Sequence, residues 1–173
     1  MKRSMMYIAI GTIASLGFAA SASQAARQPL FTTMKAAPAG ITGDASYRAL
    51  AENRAIESLQ LVQADAAQIS AGSDKLQLGL GDAGTVHMRY TKRNPDGTLV
   101  WYGNIGKDFG LLDTLRRKTS GEIADDPNNS VMIVRNGDKL TGTIRQNGEL
   151  YQLRPLRSGG HAIARSRKAG QPL

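Results

Sequence analysis

From Asp44 onward, apolar residues recur first at helical spacing and then alternate. Tyr47, Leu50, Ala51 and Ala55 lie on one side of a helix that Asp44 can cap, predicting a helix through about Glu57. From Leu59 the pattern is open: Leu59 and Leu61 alternate with Gln60 and Val62 as in a strand, while the Ala-rich continuation also suits a helix. Leu76, Leu78 and Leu80 alternate with Gln77 and Gly79, a half-buried strand closed by the turn Gly81-Asp82-Ala83-Gly84. Val86, Met88 and Tyr90 take one face of the next strand, and His87, Arg89 and Thr91 the other. Asn94-Pro95-Asp96-Gly97 is a turn, since Pro presets φ and Gly accepts positive φ, and Thr98 to Ile105 returns as a strand.

The last third reads as successive hairpins. Lys107–Thr119 predicts a short helix, with Leu111, Leu112 and Leu115 on one side, broken by Asp125-Asp126-Pro127-Asn128-Asn129. Val131-Met132-Ile133-Val134 is apolar without alternation and predicts a strand covered on both faces. Asn136-Gly137 and Asn147-Gly148 are two-residue hairpin turns, and Gly137 and Gly148 are therefore structural positions. Leu140, Gly142 and Ile144 alternate with Thr141, Thr143 and Arg145; Leu150–Leu156 and His161–Arg165 follow as strands around the turn Ser158-Gly159-Gly160. Such a meander needs no crossover helix. The expected fold is mainly β (α+β), an antiparallel meander of hairpins with a short N-terminal helical segment. Trp101 and Tyr102 point to opposite faces, and Trp101 is assigned to the core.

Ahead of this body, Lys2-Arg3, an apolar run from Met5 to Ala20 and then Ser21-Ala22-Ser23-Gln24-Ala25 have the order of a Sec-type signal peptide. Cleavage is placed after Ala25, with Ala22 the alternative. The run is short of the roughly 20 residues that span a bilayer core, so no membrane association is expected once it is removed, and the destination is periplasmic or secreted. The expected organisation is a signal peptide over 1–25, a flexible linker over 26–43, a β-rich domain over 44–165 and a basic tail over 166–173.

Composition narrows the chemistry. The 173 residues include 22 Lys or Arg, 14 Asp or Glu, two His and no Cys. Disulfides, thiolate zinc sites and Cys nucleophiles are thereby excluded, as is any metal motif needing three histidines. Setting aside Lys2, Arg3, Arg154, Arg157, Arg165, Arg167 and Lys168 leaves 15 bases against 14 acids over residues 4–153, a net of +1. The charge of +8 thus sits in a leader and a tail, without the basic stripe that nucleic-acid binding requires. H-E-x-x-H, G-x-S-x-G and Walker sequences do not occur. Gly79-Leu80-Gly81-Asp82-Ala83-Gly84 matches G-x-G-x-x-G in form but precedes a strand, so it reads as a turn. Asp125 and Asp126 read as a solvated turn, His87 as a surface or cross-strand residue, and His161, after two glycines, as able to reach a partner. No catalytic set emerges, and no cofactor is expected.

Two stretches carry a family likeness: Asp96-Gly97-Thr98-Leu99-Val100-Trp101-Tyr102-Gly103-Asn104-Ile105, and the hairpin block from Val131 through Gly137, Gly142 and Gly148 to Gly160-His161-Ala162-Ile163. Across roughly residues 55–165 the chain resembles the pro-region of bacterial secreted reprolysin-like zinc metallopeptidases of the peptidyl-Asp metalloendopeptidase type. The resemblance implies a non-catalytic module that assists folding and latency of a zinc catalytic domain, as a dedicated inhibitor or as part of a truncated precursor. None of that domain's ligands can be carried onto these residues. Arg157, His161, Arg165, Arg167 and Lys168 are the candidate partner-binding residues, with His161 the one side chain near the module's end suited to blocking a partner's zinc. The alternative is a non-catalytic envelope module that binds peptide or polymer.

Overall fold

A computed structural model describes residues 28–81, 84–106 and 126–167. The expected leader, the Lys107–Thr119 helix, Asp125 and residues 168–173 of the basic tail lie outside the described residues, while Ser166 ends the last strand.

The meander is present and antiparallel throughout. Strands β1 (Phe31–Thr33), β2 (Ile56–Ala64), β3 (Lys75–Gln77), β4 (Thr85–Arg93), β5 (Leu99–Ile105), β6 (Ser130–Asn136), β7 (Lys139–Gln146), β8 (Glu149–Pro155) and β9 (His161–Ser166) form one nine-stranded sheet. Its order is β1-β2-β9-β8-β7-β6-β5-β4-β3. Every neighbouring pair is antiparallel. The helix predicted from Asp44 is α1 (Ala45–Ala51), which stops short of the expected Glu57 because strand β2 already begins at Ile56, and the open question at Leu59 resolves as that strand.

The sheet rolls until its two edges meet. Leu30 N–H donates to the Gln77 carbonyl at 2.7 Å and Phe31 N–H to the Leu78 carbonyl at 2.9 Å, joining the chain around β1 to the end of β3. Rolling gives the concave side a closed apolar interior, with Phe31, Val62, Leu78, Val86, Trp101, Ile133, Leu140, Ile144 and Leu153 buried together. Each such side chain contributes about 1.5–3 kcal/mol on burial. Trp101 is wholly buried, and its indole N–H is satisfied by the Ser73 carbonyl at 3.0 Å. The loop carrying Ala66 and Ile69 plugs one end of the roll, where Arg135 donates to the Ile69 carbonyl at 2.9 Å.

Outside the roll, α1 packs over β2 and β9. Leu50 joins Leu156, Ala162 and Ala164 in a second apolar cluster, flanked by Tyr47, Leu59 and Leu61. The small side chains at Ala162 and Ala164 let the helix come close to the strand. Asp44 fixes the helix from both sides. Its Oδ1 accepts from the Ser46 and Tyr47 N–H groups (2.9 and 3.2 Å), and its Oδ2 accepts from the Arg157 and Ser158 N–H groups in the β8–β9 turn.

Four expectations change. Residues 28–43 are not a linker outside the domain: Leu30 and Phe31 are core residues, because β1 and the bonds to β3 close the roll. Tyr90 does not share the face of Val86 and Met88, since a bulge between Met88 and Tyr90 turns it outward opposite Tyr102. Val131 and Ile133 are buried while Met132 and Val134 are half-exposed, so β6 is covered fully on one face only. At the β6–β7 turn, Asn136 pairs with Lys139, leaving Gly137-Asp138 as the loop with positive φ at Gly137 alone (58°), a glycine-first turn. The β7–β8 turn is the expected one, with Asn147 and Gly148 at φ 52° and 77°. Among the described residues no helix is long and apolar enough to cross a membrane.

Gly142 allows a close approach between β6 and β7: a Cβ there would lie 2.2 Å from the Met132 carbonyl oxygen. Gly142→Ala is expected to lower unfolding stability by about 1–3 kcal/mol in urea denaturation. Gly43→Ala, which meets open space, should stay within about 0.5 kcal/mol of the parent; equal effects at the two positions would refute this packing.

Candidate functional site

Antiparallel order puts the starts of β2 and β8 and the ends of β7 and β9 at the same end of the roll, opposite the plug. That end is an open mouth of about 420 Å³, lined by Ser58, Gln60, Gln146, Glu149, Tyr151 and Arg165, with Leu80 and Gly81 across from them. The alternation that places Leu153 and Ile163 in the core also points Tyr151, Glu149 and Arg165 inward, one step further along each strand.

The mouth is organised by charge. Arg165 donates to Glu57 Oε1 at 2.9 Å and faces Glu149 Oε2 at 3.5 Å. Tyr151 donates its hydroxyl to the same Glu149 oxygen at 2.8 Å. Burial, and then the bond to Glu149, push the Tyr151 phenol above its ordinary pKa, so it remains a donor. One guanidinium between two carboxylates, ringed by amides and hydroxyls, is equipped to hold a polar ligand. Among the described residues no group of three or more His, Asp or Glu side chains is placed to hold a metal ion.

The sequence-selected residues do not form one patch. His161 opens β9 at the plugged end, is 5 % exposed, and accepts the Leu140 N–H on Nε2 at 2.9 Å. The reason is local: β7–β8 pairing begins only at Gly142–Leu153, so Leu140 has no strand partner on that side and the imidazole takes its place. His161 is therefore a buried structural acceptor and is not presented to a partner's zinc. Arg157 is exposed, but lies in the turn held by Asp44, at the opposite end of β9 from Arg165. Arg165 is committed to Glu57 and Glu149, and Arg167 donates its backbone N–H to Ala55 across the sheet. His87, expected as a surface or cross-strand residue, is not at the surface: it is fully buried and stands across from Lys75 and Asn104 in the ladder. Asp126 serves its own turn, accepting from the Asn128 and Asn129 N–H groups. The described part of the Gly79–Gly84 segment is a close approach of chains, since a Cβ on Gly79 would sit 2.3 Å from the Phe31 carbonyl oxygen.

Sequence reasoning missed Asp44 as a pin between distant segments and the Glu149–Tyr151–Arg165 cluster. Glu149 and Tyr151 share a strand face at spacing two, a signal available in the sequence; their meeting with Arg165 needs the β8–β9 register, where Tyr151 stands opposite Arg165.

Three curated proteins resemble this chain, each named peptidyl-Asp metalloendopeptidase. One, from Xanthomonas campestris pv. campestris, is 36 % identical over 169 residues, covering 94 % of this chain and 38 % of the relative. Two from strains of Stenotrophomonas maltophilia are 35 % and 33 % identical, each covering 90 % of this chain and 36 % of the relative. The chain thus spans little more than a third of the length of these relatives. No protein-family profile and no solved structure matches it.

Two pH responses follow. Burial lowers the His161 pKa below its ordinary 6.5, so the folded state binds fewer protons there than the unfolded chain. Its contribution is complete above about pH 6.5 and is lost as pH falls below that value. His161→Gln, which keeps an acceptor without titrating, should flatten the stability profile between pH 7 and 5; an unchanged slope in urea titrations would exclude the role. His161→Ala leaves the Leu140 N–H unpaired, at a cost of about 1–3 kcal/mol. At Asp44 burial works to raise the pKa, but the bonds from Ser158, Tyr47, Arg157 and Ser46 outweigh it and hold the carboxyl below its ordinary 3.8. Its contribution stands above that pH and disappears as pH falls through the lowered value. Asp44→Asn should therefore destabilise at neutral pH and weaken the acid dependence below about pH 4, measured by thermal melts.

Proposed function

We propose that this chain is an exported, pro-domain-like module of a zinc metalloendopeptidase, itself non-catalytic, that chaperones or holds latent a catalytic domain. It does so as a dedicated inhibitor or as the corresponding part of a precursor. The observation that carries the reading is the match to peptidyl-Asp metalloendopeptidases along nearly the whole chain but over only 36–38 % of their length. The fold supports it: the described residues make one self-contained rolled sheet whose polar groups are engaged mainly in holding that sheet together. A unit that binds only the native or near-native form of a partner stabilises it by mass action, which is what folding assistance and latency require. In this reading the leader directs export, and the rolled domain docks on the protease.

The open mouth favours one other reading, a secreted or periplasmic module that holds a peptide or envelope polymer between Arg165 and the amides of Gln60 and Gln146.

Titrating the purified chain into a peptidyl-Asp metalloendopeptidase, and into refolding mixtures of its catalytic domain, separates the two. Slow, saturable loss of peptidase activity or a raised refolding yield is expected. Indifference in both assays, with the chain folded, removes the pro-domain reading and leaves the binding module.

A further inference from the structure

The convex face of the sheet between β4 and β8 has a composition unlike the rest of the domain. Register aligns Tyr90, Tyr102, Met132, Thr143 and Gln152 in one row straight across five strands. Beside that row lie Val100, Val134 and Thr141 on one flank, and Asn104, Ser130 and Arg145 on the other. Among the described strand residues of β4 to β8 no outward position is an acid, whereas Lys92, Lys139, Arg145 and Arg154 are all exposed on this face. Of the acids among the described residues, Asp44, Glu52, Asp65, Asp96, Asp126 and Asp138 stand in caps and turns, Glu57 and Glu149 at the mouth, and Asp74 just ahead of β3, where its carbonyl takes the Met88 N–H. A groove of about 310 Å³ runs along this row, with Arg89, Arg145, Ser130 and Thr143 around Tyr90, Tyr102 and Met132.

We propose that this convex groove is a docking site for an extended, carboxylate-bearing peptide segment of a partner protein, whose apolar side chains rest on Tyr90, Tyr102 and Met132 and whose acid is taken by Arg145. Tyr90 is 47 % exposed, and an exposed large apolar side chain within a contiguous patch marks an interaction surface. Among the described residues Arg145 has no carboxylate within ion-pair distance, and Ser130 and Thr143 add hydroxyl donors beside it. The geometry also selects among ligands. Tyr90 and Tyr102 stack on each other, with centroids 4.3 Å apart and planes 22° apart, and the Arg89 guanidinium lies 5.9 Å from the Tyr90 centroid. Ring faces already covered in this way are poor platforms for a base or a sugar, which bind aromatic rings by stacking. Strands β5 to β7 are paired on both sides, so the backbone offers no free edge and recognition falls to side chains. An acidic segment on a basic face also gains long-range attraction, at a rate that falls with salt. This inference stands apart from the pro-domain reading, because the groove takes such a segment from any chain.

The test uses the full chain and two fluorescein-labelled octapeptides, one alternating Asp with Leu and one alternating Lys with Leu, followed by anisotropy at low ionic strength. Saturable binding of the Asp peptide alone is expected, weakening as salt rises. Arg145→Glu and Tyr90→Ala should each weaken it tenfold or more. Arg54→Glu, an equal change of net charge at an exposed residue outside the groove, should leave it within twofold. Circular dichroism establishes that each variant is folded. Should Tyr90→Ala not fold, titration of the Asp peptide against the Met132 methyl resonance of the unaltered chain reports occupancy directly, and a shifting resonance is expected. Absence of saturable binding, equal binding of the Lys peptide, equal loss in Arg54→Glu, or an unmoved Met132 resonance at saturation each overturns the site. Binding of heparin without binding of the Asp peptide also overturns it, in favour of a non-peptide polyanion.

Discussion

A single antiparallel sheet can hide an apolar face only by stacking on something or by curling over itself, and this chain does the second. The bonds from Leu30 and Phe31 to Gln77 and Leu78 are few, but they decide whether the interior is enclosed or open to water along a seam. Without cysteine there is no covalent tie to replace them. Everything on the inner surface, from Trp101 to Leu153, depends on that seam staying shut, and Gly79 is the residue that lets the two backbones approach there. The α1 helix is a second closure on the outside, and the Asp44 carboxylate links it to the β8–β9 turn 113 residues away in sequence.

Much of the sheet was legible because hairpins announce themselves locally. Alternation at Leu140, Gly142 and Ile144, and the Asn-Gly pair at 147–148, predict what the ladder contains. The failures share a physical cause, since each depended on a distant segment. Leu30 and Phe31 look like linker residues until β3 is beside them. Tyr90 changes face through a bulge that no period-two pattern registers. His161 reads as an exposed residue after two glycines, yet it ends up inside because an unpaired backbone N–H on β7 needs an acceptor. The basic residues near the C-terminus read as one cluster in sequence, but β9 carries Arg165 away from Arg157 and into a carboxylate clamp.

The two surfaces with spare chemistry differ in kind. The mouth sets one guanidinium between two carboxylates, so a ligand there must displace existing bonds and would be chosen by hydrogen-bond geometry. The convex face is charge-unbalanced and partly apolar, suited to an elongated partner and to rapid encounter. The docking proposed above draws on the second surface, and the sequence hid it because its members come from five strands and assemble only through register.

Strand order carries one more consequence. β9, made last among the described strands, lies in the interior of the sheet between β2 and β8. Until it emerges, β2 has no neighbour on that flank, and the ladder that runs from β8 to β3 meets β1 only across the seam of Leu30 and Phe31 with Gln77 and Leu78. Completion of the sheet must therefore wait for β9, and long-range pairings such as that of β2 with β9 are slow to form. A growing chain of this design keeps a gap beside β2 until β9 arrives to fill it.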